Sequence, residues 1–175
     1  NEFDTIYHEH LSYFLVHPLE KLFQRHGMEI RAIQKFDIHG GTIRLYVSKK
    51  DFFFSINDSS VESFLDREKQ LGLLEIGIYR DFSQKVNMVK KELMVFLENL
   101  KKQQRNIAGF GASAKGNTLM NFCKITNKHI DYIVDDTPEK QGFFSPGSKI
   151  PIVSQDHFKK NRPDYLLLFA WNFSS

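Results

Sequence analysis

The segment Asp4-Thr5-Ile6-Tyr7-His8-Glu9-His10 places a phenol, two imidazoles and a carboxylate at four consecutive positions. Such groups can move protons. An imidazole takes one, a carboxylate orients it or binds substrate, and a tyrosine hydroxyl stabilises a developing oxyanion. A zinc site fits the spacing less well. Helical zinc motifs use H-x-x-x-H, whereas His8 and His10 are two apart and align only on an extended segment, so His17, His26 or His39 would have to converge on them. We assign no metal to the cluster. Polar residues capping the mouth of a helix remain an alternative to acid/base chemistry on composition alone.

A second stretch, Gly109-Phe110-Gly111-Ala112-Ser113-Ala114, fits the G-x-G-x-x-A nucleotide fingerprint between a buried strand and a helix. The first glycine would permit the turn, the second would let backbone amides approach a diphosphate, and the alanine would let helix and strand pack closely. The helix start then faces an anion. Gly109, Gly111, Ala112, Ser113, Lys115, Gly116 and Asn117 are therefore candidate substrate-binding residues. Asp135 and Asp136 end the next strand about twenty residues on, where ribose hydroxyls are held. Gly111 to Gly116 also has P-loop spacing, but Asn117 stands where the essential lysine belongs, which excludes that class of NTPase. Pro146-Gly147 forms a turn near the same strand ends.

The elements that carry these residues follow from periodicity. Leu11, Phe14, Leu15, Leu19, Leu22 and Phe23 predict a helix from Leu11 to Gly27, with Pro18 a break or kink. Met28 to Lys50 reads as two strands joined at a tight turn at Gly40-Gly41. Ser59-Ser60-Val61-Glu62 matches a capping box opening a helix to Leu71, closed by Gly72. Phe82, Val86, Val89, Leu93, Phe96, Leu97 and Leu100 form the apolar stripe of a long helix, which we assign to core packing. Beyond Asn106 come strand 107–110, helix 114–123 and strands 130–134, 150–153 and 165–170. The fold class is α/β: a Rossmann-like, mostly parallel sheet flanked by helices, preceded by a helix, a β-hairpin and a long helix. The two parts, 1–103 and 104–175, are expected to form one compact unit. About four strands in the second part are too few for a full dinucleotide fold, so a mononucleotide or a sugar-nucleotide diphosphate fits better.

Composition narrows the classes. The chain has 175 residues, 41% hydrophobic and 26% charged, with a net charge of +3 spread along it. No basic cluster marks a nucleic-acid partner. A single cysteine, Cys123, excludes an internal disulfide and any multi-cysteine zinc site, and the expected setting is cytoplasmic. No apolar run reaches membrane-span length. The sequence reads as a piece of a longer protein.

Five segments together resemble the C-terminal portion of the S-adenosylmethionine-dependent sugar-nucleotide C-methyltransferases. They are FDTIYHEHLSYF at 3–14, HGGTIRLY at 39–46, GFGASAKGNTLMN at 109–121, VDDTPEKQGFFSPGSKIPI at 134–152 and LLFAWN at 167–172. The resemblance implies a nucleotide-linked keto-deoxysugar substrate, similar to a dTDP-sugar. A base removes the proton beside the ketone, and the enolate then accepts the methyl group. It implies His10 as that base, with Tyr7 and Glu9 lining the sugar pocket and His8 a neighbour. S-adenosylmethionine and a structural zinc belong to upstream domains that this chain lacks, so the chain alone is expected to be inactive. Lys115 and Arg44 are added on physical grounds, as cations for the diphosphate. A nicotinamide-dependent oxidoreductase piece and a non-catalytic nucleotide-binding module are the competing readings.

Overall fold

The computed structural model describes residues 3–37, 41–52 and 58–169. The chain forms two compact units, one of residues 12–83 and one of residues 84–175 together with 1–11. Among the described residues no helix is long and apolar enough to cross a membrane.

In the unit of residues 12–83, α1 (Val16–Arg25) begins five residues later than the apolar spacing predicts. Pro18 then falls in the first turn, where its missing N–H costs nothing, and it neither breaks nor kinks the helix. The start is capped from a distance. Glu68, buried on α2 (Ser60–Gln70), accepts from the amides of Val16 at 2.5 Å and His17 at 3.1 Å, and bonds the His17 ring at Nδ1 at 2.7 Å.

Strands β1 (Met28–Phe36) and β2 (Thr42–Lys49) pair antiparallel. A bulge between Ile30 and Ala32 shifts the register, so Ile30, Ala32 and Ile33 are all buried although they do not alternate strictly. The expected tight turn at Gly40 lies outside the described residues. Val16, Ile30, Ile33 and Val61 form the core of this unit. The expected capping box does not form at α2: Ser59 makes no side-chain cap, Asp58 accepts from the Ser60 amide at 2.7 Å, and the Ser60 hydroxyl is used by the Ile33 amide at 2.8 Å.

The long helix α3 (Ile76–Lys102) continues into the other unit, where it buries Leu97 and Leu100. Its predicted stripe is only partly core, because Val89 and Phe96 are exposed. Strands β3 (Ile107–Phe110), β4 (Tyr132–Val134), β5 (Ile152–Val153) and β6 (Tyr165–Leu168) form a parallel sheet in the order β5-β4-β3-β6. That order reverses direction at β3, the first strand of the sheet, as in a doubly wound fold. Leu97, Leu100, Ile107, Met120, Ile133 and Ile150 pack on one face beside α4 (Ala114–Cys123). Ala108, Tyr132 and Val134 pack on the other, against Phe158 of α5 (Gln155–Lys160).

Two contacts fix the loop between β3 and α4. The first is Phe169, 1% exposed, immediately after β6. A Cβ at Gly109 would lie 2.5 Å from its ring, and a Cβ at Gly116 would lie 2.7 Å from its own Cβ. Close helix-to-strand packing therefore depends on Gly116 rather than on Ala114. The turn itself is made by Gly111, at φ +87°, and not by Gly109. The second contact is the Asp135 carboxylate, which accepts from the Ala112 amide at 2.7 Å, the Thr137 amide at 2.9 Å and the Lys140 ammonium at 3.3 Å. Burial alone would raise its pKa, but the hydrogen bonds from Thr137, Ala112 and Lys140 outweigh it and hold the carboxyl below its ordinary value.

Alanine for glycine in an open helix stabilises by about 0.5–1 kcal/mol. At Gly116, and likewise at Gly109, we expect alanine to destabilise by about 1–3 kcal/mol, read as a lower denaturant midpoint, because Phe169 must move. The double variant with Phe169→Leu should recover part of that loss. Asp135, with its pKa depressed on folding, stabilises fully above the ordinary carboxylate pKa of about 3.9 and loses that contribution as pH falls through its native value. Melting temperatures from pH 7 to 2 should therefore fall less steeply for Asp135→Asn than for the wild type.

Candidate functional site

The Tyr7–His10 segment does not cap α1. It follows a 3₁₀ turn at Phe3–Thr5 and closes on itself, with the His10 amide donating to the Tyr7 carbonyl at 3.0 Å, while Glu68 serves the α1 amides. His10 Nδ1 lies 2.7 Å from the Thr5 carbonyl oxygen. A carbonyl can only accept, so Nδ1 carries the hydrogen and the neutral ring has its lone pair on Nε2. The Tyr7 ring sits 4.5 Å from the His10 ring and 6.0 Å from that of His8. His8, Glu9 and His10 are exposed, and Tyr7 is half-buried. The arrangement is an oriented base with a phenol beside it.

No group of three or more His, Cys, Asp or Glu side chains is placed to hold a metal among the described residues. His17 is bonded to Glu68, and His39 lies outside the described residues. Cys123 is buried, which pushes its thiol pKa up against a smaller opposing pull from Lys90. A thiol held in that form is no nucleophile.

The glycine loop is already hydrogen-bonded internally. The Gly111 amide donates to Val134 O at 2.8 Å, and the Ala112 amide donates to Asp135. Ser113 caps α4 by accepting from the Gly116 amide at 3.1 Å, and the Asn117 amide donates to the Ser113 carbonyl at 2.9 Å. The carboxylate of Asp135 thus lies where a dinucleotide diphosphate would meet the loop. Asp135 is also committed to the loop, whereas Asp136 is exposed at the strand end. Lys115 is half-buried in the first turn of α4. Arg44 belongs to the hairpin unit, its guanidinium 4.7 Å from the Phe36 ring centre.

Beside the loop, between α4 and residues 139–152, lies a cavity of about 330 Å³. Asn117 and Met120 wall it on the helix side, and Lys140, Phe143 and Phe144 on the other. The turn at Pro146-Gly147 closes its lower edge, held by Asn121 Nδ2 donating to Pro146 O at 3.1 Å. Sequence reasoning singled out Asn117 but missed Lys140, Phe143 and Phe144. Two adjacent phenylalanines in a loop rich in glycine, proline and charge were the signal available.

Tyr7–His10 contribute nothing to the walls of this cavity. The 3₁₀ turn meets α4 through Phe3 and Phe122, whose ring centres are 5.3 Å apart. Phe122 lies five residues beyond Asn117, a rotation of about 140° around the helix. The 3₁₀ turn and the cavity therefore lie against different faces of α4 within one unit.

Over residues 37–175 the chain matches the family described as the C-methyltransferase C-terminal domain. It is 34% identical over 174 residues to C-methyltransferase NovU of Streptomyces niveus, a match covering 99% of this chain and 41% of that protein. The chain thus spans about two fifths of the length of this relative. With a Rossmann-like parallel sheet and the family match over most of its length, the chain belongs to the family of C-methyltransferase C-terminal domains.

Proposed function

We propose that this chain is the part of a C-methyltransferase that helps hold a nucleotide-linked keto-deoxysugar, of the dTDP-sugar kind, and supplies His10 as the base. The observation that carries the reading is the His10 Nδ1 bond to the Thr5 carbonyl, which leaves Nε2 as the proton acceptor. Nε2 takes the proton from the carbon beside the ketone. The C–H electrons become the enolate double bond and the ketone oxygen takes the negative charge. Tyr7, beside the ring, is positioned to donate to that oxygen, and Glu9 and His8 line the sugar.

S-adenosylmethionine, the expected methyl donor, does not fit the residues present. A donor site on a glycine loop needs open amides and a free acid at the next strand end, and here Gly111, Ala112 and Asp135 are bonded to one another's segments. We place the donor, and any structural zinc, in upstream domains of the full-length protein.

In the full-length protein, His10→Asn should slow deuterium wash-in at the substrate carbon by about 10²–10⁴-fold while leaving nucleotide affinity unchanged. Exchange at the wild-type rate would exclude His10 as the base. The 175-residue chain alone should transfer no methyl group from S-adenosylmethionine to a dTDP-keto sugar, and product detectable by mass spectrometry would refute the division of labour between domains.

A further inference from the structure

The group that orients the His10 ring sits on a turn with no core of its own. Phe3–Thr5 is a single 3₁₀ turn without a buried residue, and His8, Glu9 and His10 beyond it are exposed. Its hydrogen bonds are local. The Ile6 amide donates to Phe3 O at 3.0 Å, the His10 amide to Tyr7 O at 3.0 Å, and His10 Nδ1 to Thr5 O at 2.7 Å. None of these three bonds reaches beyond residues 3–10, so they set the shape of the turn and not its place. We propose that Phe122, on α4, is the positioning residue that fixes that place and, through it, the aim of His10. This rests on His10 being the base and extends that reading from the reacting group to the contact that holds it.

Phe122 is suited to the task by what surrounds it. It packs against the core cluster that contains Leu97, Met120 and Ile125, and the Lys90 ammonium of α3 lies 4.9 Å from its ring centre, a cation–π distance. The Phe3 ring then meets it with centres 5.3 Å apart and planes tilted by 57°, inside the range of about 4.5–7 Å for favourable aromatic pairs. Phe3 is the first residue of the 3₁₀ turn, and Thr5, whose carbonyl orients the His10 ring, is the last. Anchor and orienting atom are thus two residues apart on one turn, and a shift at Phe3 is carried to the imidazole. Because Gly116 presses α4 against Phe169, the contacts run from the sheet through α4 to the base. Proton transfer needs heavy atoms about 2.6–3.2 Å apart, and misplacing a reacting group by about 1 Å costs about a hundredfold. A leucine at position 122 keeps an apolar side chain on the core but leaves a gap where the ring met Phe3.

The test is deuterium wash-in to a dTDP-linked keto-deoxysugar by the full-length protein, with KM and melting temperature measured alongside. Phe122→Leu should slow wash-in about ten- to hundredfold with KM within about twofold of the wild type, and Phe122→Tyr, which keeps the ring, should restore most of the rate. In the His10→Asn background, Phe122→Leu should slow the residual exchange no further, because its effect passes through the imidazole. A merely structural defect would slow exchange in both backgrounds. Phe3→Leu, made from the other side of the contact, should reproduce the loss, and it carries the test if Phe122→Leu fails to fold. Wild-type wash-in by these variants, or equal losses with and without the His10 imidazole, overturns the proposal. Wild-type exchange by His10→Asn sinks the base reading instead, whatever the Phe122 variants do.

Discussion

The Phe169 side chain needs volume that only two glycines leave open. Its ring lies where a Cβ of Gly109 would be, and its Cβ presses on the position a Cβ of Gly116 would take. Its amide meanwhile extends the β6–β3 pairing by donating to Phe110 O at 2.9 Å. One residue therefore ties an edge strand, the central strand and the start of α4 together. The distance between β3 and α4 follows from that contact, and with it the shape of the loop that walls the cavity.

That loop has the outline of a nucleotide-binding turn and a different internal economy. Its anion is part of the chain, since Asp135 answers the Ala112 amide from the end of the next strand. A cavity opens beside the helix rather than over the loop, and the 3₁₀ turn that precedes the oriented imidazole meets another face of the same helix. Membership of the C-methyltransferase C-terminal domain family motivates the reaction class proposed above, and the geometry supports the proposed distribution of roles.

Much of the sheet half was legible because its signals are local. A buried apolar run, two glycines and a capping serine define β3, the loop and α4, and α4 spans Ala114–Cys123 as the pattern indicates. The roles within the loop were not legible. Which glycine turns the chain and which ones make room depend on Phe169, far along the sequence. The setting of the opening cluster was not legible, since the delayed start of α1 removes the capping role that composition allowed. The capping box before α2 failed for a similar reason: Ser60 is recruited by the neighbouring strand through Ile33, a partner the local pattern does not contain. Lys140, Phe143 and Phe144 escaped because a loop has no periodicity to betray which way its side chains face.

Glu68 makes the start of α1 depend on structure distant in the sequence. A ten-residue helix is marginal by itself in water, and α1 has no side-chain cap of its own at Leu15. The carboxylate that completes its first turn arrives from 52 residues away, so a loop of that length must close before the helix end is satisfied. The entropy of closure is offset where Val16, Leu19 and Phe23 of α1 pack with Ile30, Ile33 and Val61. The first α-helix in the chain thus takes its N-terminal hydrogen bonds from a residue far along the sequence.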